Sequence, residues 1–140
     1  MAGFEVLNRF EGYVLNTVAD ALEVIAEVGS KNIGINWDAS HAWIDEPEDI
    51  VTSLRTASLS GHLFHVHFSE NHRGEYGTGQ IGPKTRDMLA VLRETGYQGA
   101  IVPELFCEDL DGAVHKWIRR EGAPTGAARR TMQYLADALN

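Results

Sequence analysis

An α/β fold made of four successive β-α units on one parallel sheet is predicted by three observations. Short apolar segments that alternate with a period of two take turns with longer segments of helical period. No two-residue hairpin signal joins consecutive strands, so the strands must run parallel, with right-handed crossovers between them. Candidate ligands at the strand ends recur at separations of 33 (Glu5 to Asp38), 29 (Asp38 to His67) and 37 residues (His67 to Glu104). That is close to the roughly 30 or more residues of one βαβ step. The 140 residues suffice for a single domain, 1–140, and are too few for two.

The first strand is read at 3–8 (GFEVLN). The helix after it, NTVADALEVIAEVG, sets Val18, Leu22, Ile25 and Ala26 on one face and stops at Gly29, a C-cap. NIGINWD at 32–38 is the second strand. After a loop, EPEDIVTSLRTAS forms a helix with Pro47 in its first turn and Ile50, Leu54 and Ala57 on a shared face. The third unit is HLFHVHFS at 62–69, a Gly-rich loop, and a helix opened by Pro83 with Met88, Leu89 and Leu92 inward. The fourth is GAIVPELF at 99–106, an acidic loop, and a closing helix with Ala128, Met132, Leu135 and Leu139 in register.

Composition narrows the function. A formal charge of −8 with 12 Lys+Arg against 20 Asp+Glu disfavours nucleic acid and anionic membrane surfaces as partners. A hydrophobic content of 44% is that of a folded globular chain. One cysteine, Cys107, cannot form an internal disulfide, and the opening MAGFEVLNRFEG has neither the basic start nor the apolar stretch of a signal peptide. The expectation is a soluble, cytoplasmic protein.

Strand parity supplies the chemistry. Ile33, Ile35 and Trp37 oppose Gly34, Asn36 and Asp38; Phe64, Val66 and Phe68 oppose Leu63, His65 and His67. Phe4 and Val6 likewise oppose Gly3, Glu5 and Leu7, and Ile101, Pro103 and Leu105 oppose Ala100, Val102 and Glu104. The bulky face meets helices and the other lines a barrel interior. Each strand therefore ends on its inner face in one group able to bind a metal: Glu5, Asp38, His67 and Glu104. In parallel α/β folds that C-terminal end carries the active site. Three carboxylates and one imidazole suit Mn²⁺ best, with Mg²⁺, Co²⁺ or Zn²⁺ as alternatives. Taken singly, each acid reads as a helix cap or ion-pair partner, and His67 as a buried histidine; the coincidence of parity, position and ligand type favours a shared ion.

GTGQIG at 77–82 matches G-x-G-x-x-G, but it does not sit at the first β-α turn that a dinucleotide requires, so it reads as a flexible substrate loop. Cys107 has no His-Asn partner arrangement and reads as a packing thiol. His65 lies about 7 Å along the strand from His67, a neighbour in the interior rather than a second ligand.

The runs EVLNRFE (5–11), WDASH (37–41), HVHFSENHRG (65–74) with GTGQI (77–81), and VPELF (102–106) resemble the xylose-isomerase-like barrel superfamily. Within it they are most similar to ketose 3-epimerases of the D-tagatose and D-psicose (allulose) type. The resemblance implies the C-terminal half of a (β/α)8 TIM barrel, β-α units five to eight. It implies that Glu5, Asp38, His67 and Glu104 are metal ligands, that Glu5 and Glu104 are the catalytic pair on opposite faces of a ketose, and that Glu11, His41 and Arg73 grip the substrate. Such a half-barrel has two open strand edges, which points to a homo-oligomer, to an N-terminal half-barrel partner, or to a fragment of a longer protein. The implied activity is metal-dependent C3 epimerisation through an enediolate. The alternatives are hydroxypyruvate isomerase or inosose dehydratase chemistry on a keto-acid or ketose, or a non-catalytic metal-binding half-barrel. An apurinic-site nuclease would need a richer His/Glu set and a basic face.

Overall fold

A computed structural model describes residues 1–106 and 123–139. Its four strands are β1 (Ala2–Glu5), β2 (Ile33–Asp38), β3 (Leu63–Phe68) and β4 (Ala100–Pro103), all parallel and in the order β1-β2-β3-β4. The helices are α1 (Val18–Val28), α2 (Ala39–Asp45), α3 (Ile50–Leu59), α4 (Thr85–Glu94) and α5 (Ala123–Leu139), with a 3₁₀ turn at Gly82–Lys84. The predicted α/β architecture is present. Cys107 and the acidic loop lie outside the described residues. Among the described residues no helix is long and apolar enough to cross a membrane.

Local chemistry explains the boundaries. Thr17 caps α1 in a reciprocal box with Asp20, and Gly29 ends it in the left-handed conformation at φ 65°. Asp49 caps α3 through the Val51 N–H, so Pro47 sits between α2 and α3 rather than in the first turn of a helix as expected. The 7-residue helix α2 was not foreseen. It is capped by Asp38, whose Oδ1 accepts the N–H groups of Ser40 and His41, and its length is too short for a helical period to show.

The core lies between sheet and helices. Ile35, Trp37, Val66 and Phe68 meet Ile25, Leu54, Ala57, Met88 and Leu92, and the one polar atom of Trp37, Nε1–H, donates to Ser53 Oγ at 2.9 Å. Three details of the expected packing change. On α1 it is Ala21, not Ala26, that is buried. On α5 the inward stripe is Ala127, Thr131 and Leu135, while Met132 and Leu139 are exposed, because the helix is docked by polar ties to a loop. Thr131 Oγ1 accepts the Tyr76 N–H, and the Tyr134 hydroxyl donates to the Gly82 carbonyl. In β3 the alternation breaks: Ile35 pairs with Leu63 but Asn36 with His65, leaving Phe64 as an extra residue. Leu63 therefore joins the helix-side core, and the Phe64 ring lies against Gly34, where a Cβ would meet it at 2.6 Å. Above the bulge the alternation resumes, which keeps His65 and His67 on the inner face.

Candidate metal centre

Glu5 closes β1, Asp38 closes β2, His67 is the penultimate residue of β3 and Glu104 follows β4, its N–H donating to the Phe68 carbonyl at 3.1 Å. The register is staggered: Glu5 pairs with Asn36, Asp38 with His67, and His67 with Val102. Despite the stagger, one ligand atom from each of Glu5, Asp38, His67 and Glu104 lies within 4.8 Å of the others. His67 Nδ1 is 3.3 Å from Glu5 Oε1, 3.6 Å from Glu104 Oε2 and 3.8 Å from Asp38 Oδ2. That nitrogen is buried and has no hydrogen-bond partner. A buried, unpartnered imidazole nitrogen aimed at three carboxylate oxygens is a donor set that fits a divalent cation.

The carboxylates are held from behind. Asp38 is buried; Ser69 Oγ donates to both of its oxygens at 3.0 Å, and the Ser40 and His41 N–H groups donate to Oδ1 at 2.8 and 2.9 Å. Thus one oxygen caps α2 and the other faces the site. Arg73 is 1% exposed. Its Nη1 donates to Asp38 Oδ2 at 2.8 Å and Glu104 Oε2 at 2.7 Å, its Nη2 meets His41 Nε2 at 2.7 Å, and its guanidinium lies 4.9 Å over the Phe106 ring. Arg73 has a positive φ of 57°, a costly conformation for a non-glycine residue, and the carbonyl of Glu70 and N–H of Phe106 pin its backbone.

These surroundings separate the acids. Burial pushes the Glu104 carboxyl up to about 7, with Asp38 adding to the rise and Arg73 opposing it. Burial also works to raise Asp38, but the Arg73 and His41 charges and the hydrogen bonds outweigh it, and its carboxyl stays below the usual range. The His67 imidazole lowers Glu5, and the Glu5 carboxylate in turn raises His67. Burial, with Arg73 adding to it, lowers His41.

Of the residues named from sequence, Glu5, Asp38, His67, Glu104, His41 and Arg73 are brought together. Glu11 is exposed and is linked to the cluster through Asn8, whose Nδ2 donates to Glu11 Oε1 at 3.0 Å and lies 2.8 Å from His41 Nδ1. His65 stands edge-on to His67 with ring centres 4.9 Å apart. Asn8, Ser69, Glu70 and Phe106 were missed. None carries a period or spacing signal, since each acts through a contact made only in the fold.

A family model described as Xylose isomerase-like TIM barrel matches residues 1–138. The chain is 38% identical over 104 residues to the D-psicose 3-epimerase of Enterocloster bolteae, covering 74% of this chain and 33% of that protein. It is 39% identical over 106 residues to the ketose 3-epimerase of Arthrobacter globiformis, covering 76% and 35%. The crystal structure of D-allulose 3-epimerase from Methylomonas sp. superposes with a TM-score of 0.81 at 26% identity, covering 96% of this chain and 47% of that one. The chain thus spans about a third of the length of these curated relatives and about half of that barrel. With the family model aligned from its first strand to its last helix, this chain belongs to the Xylose isomerase-like TIM barrel family.

Proposed function

We propose that this chain carries the metal and proton-transfer half of a ketose 3-epimerase, organised as one domain of β-α units five to eight. The observation that carries the proposal is the convergence of Glu5, Asp38, His67 and Glu104 within 4.8 Å around an unpartnered His67 Nδ1. These four side chains would hold a divalent ion, Mn²⁺ first among the candidates, which supplies positive charge against the negative charge that develops on the sugar oxygens.

The chain's own residues do the rest. A proton on carbon 3 beside a ketone is weakly acidic, and one glutamate of the Glu5/Glu104 pair removes it to leave an enediolate. The other glutamate delivers a proton to the opposite face, inverting the centre. Before a metal binds, burial raises the Glu104 carboxyl to about 7 while His67 holds Glu5 low, so the two acids of the pair differ in proton affinity. His41 and Arg73, already joined to each other, orient the carbonyl end of the ketose, and Glu11 contributes from the rim through Asn8. The remainder of the barrel and of the sugar pocket would come from four further β-α units, in the same longer protein, in a separate N-terminal half-barrel or in a second copy of the chain.

The test is ketose proton exchange at carbon 3 in deuterated buffer with Mn²⁺, followed by NMR on D-psicose and D-tagatose. Deuterium uptake and inversion that vanish in Glu104→Gln support the reading. Tight Mn²⁺ binding without exchange, in the chain alone and with the complementary half-barrel, favours instead a non-catalytic metal-binding half-barrel.

A further inference from the structure

The glycine loop at 77–82 folds around an anion that the chain itself supplies. Glu70 is fully buried. Its Oε1 accepts the backbone N–H groups of Gly77 at 2.8 Å and Gly82 at 3.0 Å, and its Oε2 accepts that of Ile81 at 3.0 Å. A Cβ at Gly79 would come within 2.4 Å of Oε2 and one at Gly82 within 2.9 Å of Oε1. The glycines are therefore spaced so that backbone can close on a carboxylate, much as such nests close on phosphate. The Gln80 N–H adds a tie to Asn71 Oδ1 at 2.8 Å. The Glu70 carbonyl meanwhile accepts the Arg73 N–H at 2.8 Å, at the turn that places Arg73 with φ 57°.

We propose that Glu70 is a positioning residue: its carboxylate holds segment 71–82 shut, and the shut segment keeps the Arg73 guanidinium on Asp38 and Glu104. The proposal deepens the functional reading above, on which the importance of Arg73 rests. The hydrogen bonds of the Glu70 carboxylate go to the loop backbone and not to the four candidate ligands. The strained Arg73 backbone has one anchor on either side, Glu70 and Phe106, and the Glu70 anchor immediately precedes the closed segment.

The variant Glu70→Ala leaves three N–H donors around a space the size of a carboxylate, and formate is the probe that fits it. The readouts are amide hydrogen exchange at Gly77, Ile81 and Gly82 and the ¹⁵N signals of the Arg73 side chain. In Glu70→Ala, exchange at the three amides should accelerate about tenfold or more, the Arg73 signal should move to that of a free guanidinium, and formate but not chloride should reverse both. Where Glu70→Ala does not fold, Glu70→Gln carries the test. It keeps the shape but sets an amide N–H against a backbone N–H, so exchange should accelerate at Ile81, or at Gly77 and Gly82, together with release of Arg73. An Arg73 signal unchanged in the folded variant overturns the proposal, as does a change in Glu70→Ala that formate leaves in place. Neither readout needs turnover: a wild-type chain that fails to exchange the carbon-3 proton counts against the proposed function alone.

Discussion

His67 Nδ1 faces Glu5 Oε1 across 3.3 Å and makes no hydrogen bond to it. A cation between them would replace a proton. Glu104, raised to about 7, and His67, raised by Glu5, must both lose a proton to act as ligands. Mn²⁺ affinity should therefore rise with pH through about 7 and fall about tenfold per pH unit below it for each competing proton. Calorimetric titration of Mn²⁺ across the range checks this; an affinity independent of pH would remove these two groups from the ligand set.

Glu104→Gln should cut carbon-3 proton exchange by about 10²- to 10⁴-fold and weaken Mn²⁺ binding. The fold should remain, since Glu104 is half-buried and follows the last strand residue. Exchange rates by NMR and the far-UV circular dichroism spectrum report the two halves of the prediction.

Thr17→Ala removes the side-chain half of the α1 capping box and should cost about 1 kcal/mol, a drop in Tm of about 4 °C, with no change in Mn²⁺ affinity. Thr17 is the main influence that holds the Asp20 carboxyl below its ordinary 3.8. A depressed carboxyl stabilises the fold above its unfolded pKa. The part of the cost that acts through the Asp20 carboxyl should thus be present in full at neutral pH and fade as pH drops below about 3.8, while the part from the lost Asp20 N–H bond to Thr17 Oγ1 stays. Thermal melts at neutral and acidic pH test both statements.

Gly34→Ala and Gly3→Ala place the same methyl group on the inner face of neighbouring strands with different results. At Gly34 a Cβ meets the His62 carbonyl at 2.4 Å and the Phe64 ring at 2.6 Å, so backbone or ring must move; at Gly3 the nearest atom is 3.6 Å away. Gly34→Ala should destabilise the chain by about 2 kcal/mol in urea titration, and Gly3→Ala by far less. Equal effects would mean that the bulge at Phe64 does not set this contact.

The candidate site was more legible in sequence than the packing around it. Glu5, Asp38, His67 and Glu104 could be picked out because a period of two survives wherever strands are regular, and each sits where its strand ends. Parity failed at Leu63 and Phe64, where a bulge inserts one residue and inverts the faces below it. Periodicity also misplaced the α5 stripe, because that helix is oriented by Thr131 and Tyr134 bonding to a loop distant in sequence. The G-x-G-x-x-G run was visible, yet its occupant, Glu70, lies seven residues before it with no pattern linking them.

By itself the sequence determined the order of the β-α units, the parallel sheet and which four inward strand-end residues are candidate ligands, since these depend on local period and on the alternation of side chains. Only the tertiary structure decided that those four side chains meet within 4.8 Å, that Asp38 serves α2 with one oxygen and the cluster with the other, and that Arg73 lies buried across Asp38 and Glu104. Each of these joins residues some thirty or more positions apart or splits the roles of a single carboxylate. Such relations arise from strand register and from a loop closed on a buried charge, neither of which leaves a periodic mark in the chain.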